Sequence, residues 1–152
     1  MEQLELDEKD LAIIKILQED GRASYKDIAR KLNMHENTVR FRVRRLLEKG
    51  VIRGIVAIVD PRKLGLKASA AMMIKLDTES MEEAINTLKS MKEVTNIYQF
   101  SGEYDLILVV FGRDLKHLEE IRKRVKQVNG VKDVNMLITT NIIKSEIRYS
   151  LI

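Results

Sequence analysis

The segment from Ser24 to Gly50, SYKDIARKLNMHENTVRFRVRRLLEKG, constrains the fold more than any other part of the chain. It carries two short apolar stripes at helical spacing, separated by a polar break, and helices this short need each other's apolar faces to be stable. Ser24 is placed to cap the first helix, with Asp27 as a weaker version of the capping-box acid, and Ile28, Ala29 and Leu32 form a stripe that ends near Asn33. The second helix is expected from about Glu36 to Lys49. Burying Val39, Val43, Leu46 and Leu47 on one side turns Asn37, Arg40, Phe41, Arg44 and Arg45 broadly outward, with Arg42 on the flank. For the Phe41 ring the spacing leaves a choice between a thymine methyl and a neighbouring helix, and packing on a helix is the expectation. Upstream, Leu6, Leu11, Ile13, Ile14 and Leu17 mark another helix between an Asp7 cap and the stop at Gly21. The three together form a helix-turn-helix.

Charge singles out the same region. Arg22 to Arg53 holds ten Lys/Arg against Asp27, Glu36 and Glu48, a balance of +7, while residues 1–21 stand at −5 and the chain from Ala68 onward is neutral, twelve against twelve. A net charge of +4 says little alone, but a one-signed stretch confined to one segment is an electrostatic footprint for nucleic-acid phosphate. The plainer alternative, a solvated basic face, fits any single arginine better than it fits four within six residues. Recognition helices present their N-terminal residues to base edges, so His35, Glu36, Asn37, Thr38 and Arg40 are the candidates for readout; Arg42, Arg44, Arg45 and Lys49 are placed for phosphate. His35 also reads as an imperfect N-cap.

After Gly50, VIRGIVAIVD is β-branched and apolar on both faces and predicts a strand whose partner is another chain or a wing. PRKLGLK, with the lone Pro, reads as a linker. The expected division is a DNA-binding domain at 1–50, strand and linker at 51–66, and a second domain at 67–152.

These residues carry a resemblance. LDEKDLAIIKILQEDGRASYKDIARKLNMHENTVRFRVRRLLEKGVIRGIVAIVDPRKLG, with SGEYD further on, resembles the Lrp/AsnC family of bacterial and archaeal transcription regulators. The resemblance implies a linker strand paired between subunits, then a β-α-β-β-α-β ligand-sensing domain, with dimers assembling into tetramers or octamers. It also implies an amino-acid effector pocket at a contact between dimers, built from the Gly-x-Tyr-Asp turn. The matching positions are Gly102, Tyr104 and Asp105, with Thr139 and Thr140 of the last strand. Met34-His35 and Leu47 depart from the family's usual Leu-Ser and acid, so the DNA sequence preferred by relatives does not transfer.

Read on its own, the second half gives the same order. KASAAMMIKLD alternates as a strand; Ser80 and Glu83 make a capping box before Met81, Ala84, Ile85 and Leu88; VTNIYQF and YDLILVVF flank a turn at Ser101-Gly102-Glu103. Asp114 caps a helix with the stripe Leu115, Leu118, Ile121, Val125 and Val128, and VKDVNMLITTNIIK supplies a final strand. The fold class is α+β: a winged-helix-like helix-turn-helix joined by a linker strand to a ferredoxin-like domain. From Leu106 to Phe111 both alternating sets are apolar, and two helices cover one sheet face, so the other face calls for a second copy.

No Cys is present, which excludes disulfides and thiolate zinc sites; no apolar run approaches a membrane span; His35 and His117 have no catalytic or metal-binding partner at motif spacing. His117 reads as a surface residue. The chain is expected to be a complete cytoplasmic, non-enzymatic regulator without cofactor or metal, with double-stranded DNA and an amino acid as its partners. An architectural chromatin-type DNA binder is the first alternative, and a small amino-acid-binding subunit or enzyme the second.

Overall fold

The computed structural model describes residues 5–150; residues 1–4 and 151–152, the outer ends of the two expected domains, lie outside the described residues. The chain divides into two units, residues 5–58 with 145–150, and residues 59–144. The division thus falls inside the segment expected as strand and linker, and the tail past Lys144 belongs with the N-terminal unit.

In the first unit α1 (Glu8–Glu19), α2 (Tyr25–Leu32) and α3 (Glu36–Glu48) enclose Ile13, Ile28, Ala29, Val39, Val43 and Leu46. Burial of each larger aliphatic side chain contributes about 1.5–3 kcal/mol. Asp7 closes a full capping box with Asp10, and Ser24 Oγ accepts the Asp27 N–H (3.0 Å) while donating its hydroxyl to the Asp27 carboxylate (2.6 Å). Asn33 ends α2 in the left-handed region (φ 50), which makes the tight turn into α3. Three expectations change here. Leu47 is 40% exposed and Phe41 66% exposed, because the core stripe of α3 is only as wide as Val39, Val43 and Leu46. The third is the strand expected over 51–60, a segment that enters no ladder and leaves Ile55, Val56 and Ile58 exposed. The tail is tied to α1 through Gln18, whose side-chain amide donates to Tyr149 O (3.1 Å) and accepts the Tyr149 N–H (2.8 Å).

The second unit runs β1 (Ala68–Leu76), α4 (Met81–Lys89), β2 (Val94–Gln99), β3 (Leu106–Gly112), α5 (Leu115–Lys126) and β4 (Val131–Ile138). Its sheet has the order β2-β3-β1-β4, antiparallel throughout, which is the ferredoxin-like arrangement. Ala70, Met72, Ile74, Leu106, Leu108 and Val110 face α4 and α5, where they meet Ala84, Leu88, Leu118, Ile121 and Val125. The alternate set, Ala71 and Met73 of β1 with Ile107, Val109 and Phe111 of β3, is half-buried on the opposite face, flanked by exposed Tyr98 and Leu137.

Other details depart from the pattern. The Ser80 side chain makes no cap bond, its backbone at φ −108, ψ 10 lying outside the extended geometry of a cap, and the Glu83 carboxylate accepts from Asn129 Nδ2 (3.2 Å). Gly130 presses on Ser80: its φ is +87, and a Cβ there would stand 2.7 Å from the serine Cβ. Leu115 is 58% exposed, since the inward stripe of α5 begins at Leu118. His117 is half-buried rather than exposed, its Nδ1 accepting the Arg113 N–H (3.1 Å). The last strand stops at Ile138, before Thr139 and Thr140.

Candidate nucleic-acid interface and effector turn

The interface rests on how α3 is held. Val39, Val43 and Leu46 fix its inner side, and a buried ion cluster fixes its rotation. Asp10, fully buried, accepts from Arg42 Nη1 (2.8 Å) and Arg45 Nη2 (2.6 Å), and Arg42 Nη1 also reaches Asp7 (2.7 Å). The hydrogen bonds that Arg42 donates to Asp10 and then to Asp7 hold its guanidinium above the ordinary arginine range; the Asp10 N–H, then Arg42, hold the Asp7 carboxyl below the usual carboxylate range. This corrects the expectation for two site residues. Arg42 lies at the edge of the core stripe and Arg45 reaches back over α1, so both are turned to the protein rather than left free for phosphate. Asp10 was missed by sequence reasoning, although a carboxylate inside the apolar stripe of α1, three residues before Ile13, was a readable signal.

The remaining candidates point away from the core. His35 is the N-cap of α3 and makes no side-chain cap bond, which leaves its imidazole exposed beside Glu36, Asn37 and Thr38. Arg40 is pre-positioned: Nη2 bonds Glu36 Oε1 (2.9 Å), and the guanidinium stands 5.2 Å from the centre of the Tyr25 ring. Arg44 and Lys49 are exposed and enter none of the ion pairs among the described residues.

The turn expected to hold an effector joins β2 and β3. Gly102 is exposed at φ +148, with open space where a Cβ would stand. Tyr104 OH accepts from Asn135 Nδ2 (3.4 Å), and Lys75 Nζ sits 5.1 Å from the Tyr104 ring centre. Lys75 also pairs with Glu103 (3.2 Å), and that hydrogen bond raises its ammonium above the usual range. Asp105 closes the turn onto β1: Oδ2 accepts the Leu76 N–H (2.7 Å) where the β1–β4 register shifts, and its own N–H donates to Ile74 O (2.9 Å). One carboxylate oxygen expected to hold an effector ammonium is thus occupied. Thr139 is tied through its N–H to Ser69 O (2.9 Å). Ser69 and Ile74 are ~17 Å apart along β1 at strand rise, so one chain does not bring the turn and the threonines together.

Among the described residues no helix is long and apolar enough to cross a membrane, and no group of three or more His, Asp or Glu could hold a metal ion. A family model of the AsnC-type helix-turn-helix domain matches residues 6–47, and one of the Lrp/AsnC ligand binding domain matches residues 69–149. An HTH-type transcriptional regulator of Pyrococcus horikoshii is 36% identical over 142 residues, 93% of this chain and 90% of that one. Ptr1 of Methanocaldococcus jannaschii, also an HTH-type transcriptional regulator, is 38% identical over 131 residues, 84% and 88% of the two chains. The crystal structure of the leucine response regulatory protein LrpA of Mycobacterium tuberculosis superposes with a TM-score of 0.87 at 28% identity, over 95% of this chain and 99% of that one. The chain therefore belongs to the Lrp/AsnC family and is a DNA-binding transcriptional regulator with a C-terminal domain for an effector.

Proposed function

We propose that α3 enters the major groove with His35, Glu36, Asn37, Thr38 and Arg40 at base edges and Arg44 and Lys49 on phosphates, while Arg42 and Arg45 hold the helix. The observation that carries this is the division of the arginines on α3: two locked on Asp10, the others outward beside an uncapped, exposed N-terminus. The regulator acts in the cytoplasm as a dimer that assembles further. The open sheet face of Met73, Ile107, Val109 and Phe111 meets its counterpart, and the unpaired 51–60 segments supply edges for each other.

An amino acid is the effector assigned to the Gly102–Asp105 turn. Free backbone amides of the turn suit its carboxylate, and Asp105 Oδ1 remains for its ammonium. The separation of the turn from Thr139 and Thr140 supports a pocket completed between copies. Calorimetric titration with the twenty common amino acids, followed by DNA binding at saturating ligand, tests the assignment: at least one binds, and it shifts both assembly and DNA affinity. Gly102→Val abolishes the response and leaves basal DNA binding intact. Binding of none of the twenty overturns the amino-acid reading. An architectural, sequence-indifferent role is the rival, and equal affinity for selected and random DNA is the result that favours it.

A further inference from the structure

Phe41 lies near the middle of the outward side of α3. At 100° per residue it lies roughly 165° from the centre of the Val39, Val43 and Leu46 stripe, closer to diametrically opposite than Asn37 or Arg44. The ring is 66% exposed. It is the sixth residue of the helix, with Asn37 one turn before it and Arg44 nearly one turn after. A lone exposed apolar residue is ordinary on a protein surface. This one differs in its setting, because its near neighbours on that side, Asn37, Thr38 and Arg44, are polar or basic, with the acidic Glu48 almost two turns further along, and such a surround attracts phosphate and disfavours an apolar protein partner. Between two phosphate rails, the one apolar feature that the major groove offers is the C5-methyl group of thymine.

We infer that Phe41 is a specificity-determining residue that packs its ring on a thymine C5-methyl in the major groove. The inference rests on the docking of α3 proposed above, and it adds a chemical preference that the polar candidates do not carry. Asn37 and Arg40 distinguish bases by hydrogen bonds; Phe41 distinguishes thymine from the other bases by one methyl group. Removing that group from water is worth ~4-fold in affinity, the equivalent of about one buried CH₂.

The test uses the full-length protein and DNA selected by it from a random pool. Each thymine of the selected site is replaced in turn by deoxyuridine, which keeps every hydrogen-bonding group and deletes only the methyl. The expected result is one thymine per half-site at which replacement weakens wild type by ~4-fold and leaves Phe41→Ala unchanged, the other thymines behaving alike in both proteins. Phe41→Leu keeps part of the effect. The side chain makes no core contact, so the variants are expected to melt with wild type, and the wild-type deoxyuridine series stands without them. Indifference of wild type to every replacement, an equal methyl effect in Phe41→Ala, or a pool that converges on no sequence each overturns the assignment. Salt-dependent binding to random DNA is measured alongside, so loss of the methyl effect is distinguishable from failure of α3 docking itself.

Discussion

Replacing Asp10 by Ala should unlock the recognition helix. The carboxylate is fully buried and receives two guanidinium hydrogen bonds, at 2.8 and 2.6 Å, besides the Asp7 N–H at 3.3 Å. Breaking a fully buried pair from one side costs about 3–5 kcal/mol. Here Arg42 and Arg45 keep 20% and 32% of their side-chain surface in solvent, so water recovers part of the loss and about 2–4 kcal/mol is expected. Native-state hydrogen exchange at the core amides of α3 reads this unit directly, and protection at Val43 and Leu46 should fall ~100-fold. Asp10→Asn, which keeps one acceptor oxygen, should lose less. The triple change Asp10→Leu, Arg42→Met and Arg45→Met should recover most of the stability, because an apolar set of similar volume leaves no charge unpaired. A change below about threefold on Asp10→Ala, or a triple variant worse than the single one, would refute the argument that the cluster holds α3.

Gly130→Ala should destabilise the second unit by about 2–3 kcal/mol, since the positive φ and the approach to Ser80 both oppose a Cβ; a denaturant midpoint within error of wild type contradicts this. Acid should weaken the N-terminal unit first at its caps. Asp7 and Asp27 are both held below their unfolded values, Asp7 mainly by the Asp10 N–H and Asp27 mainly by the Ser24 hydroxyl. Between folded and unfolded values the unfolded chain binds more protons, so this contribution is complete above about pH 4 and is lost as pH falls through the folded values. Urea midpoints measured from pH 6 to pH 2 should therefore fall below pH 4 in wild type and fall less in Asp7→Asn.

The strands and helices of both units were legible because their periods are clean: Met72, Ile74 and Leu76 alternate, and Val39, Val43 and Leu46 repeat at helical spacing. What the pattern could not give was the state of each polar group. Arg42 and Arg44 are two residues apart and equally basic, yet one faces Asp10 and the other faces solvent, a difference set by contact across 32 residues of chain. Asp105 likewise reads as a turn residue or a ligand until the Leu76 N–H is seen to need it. The strand expected at 51–60 has the right residues, but a strand exists only with a partner, and one chain supplies none there.

The dependence of DNA affinity on salt tests the central claim most directly. Arg44 and Lys49 from each of two subunits neutralise about four phosphates, so log K against log salt should have a slope of roughly −4, and Arg44→Ala should make it shallower by ~2. A nearly flat wild-type slope, or one that Arg44→Ala leaves unchanged, contradicts the assignment of the outward face of α3 to DNA.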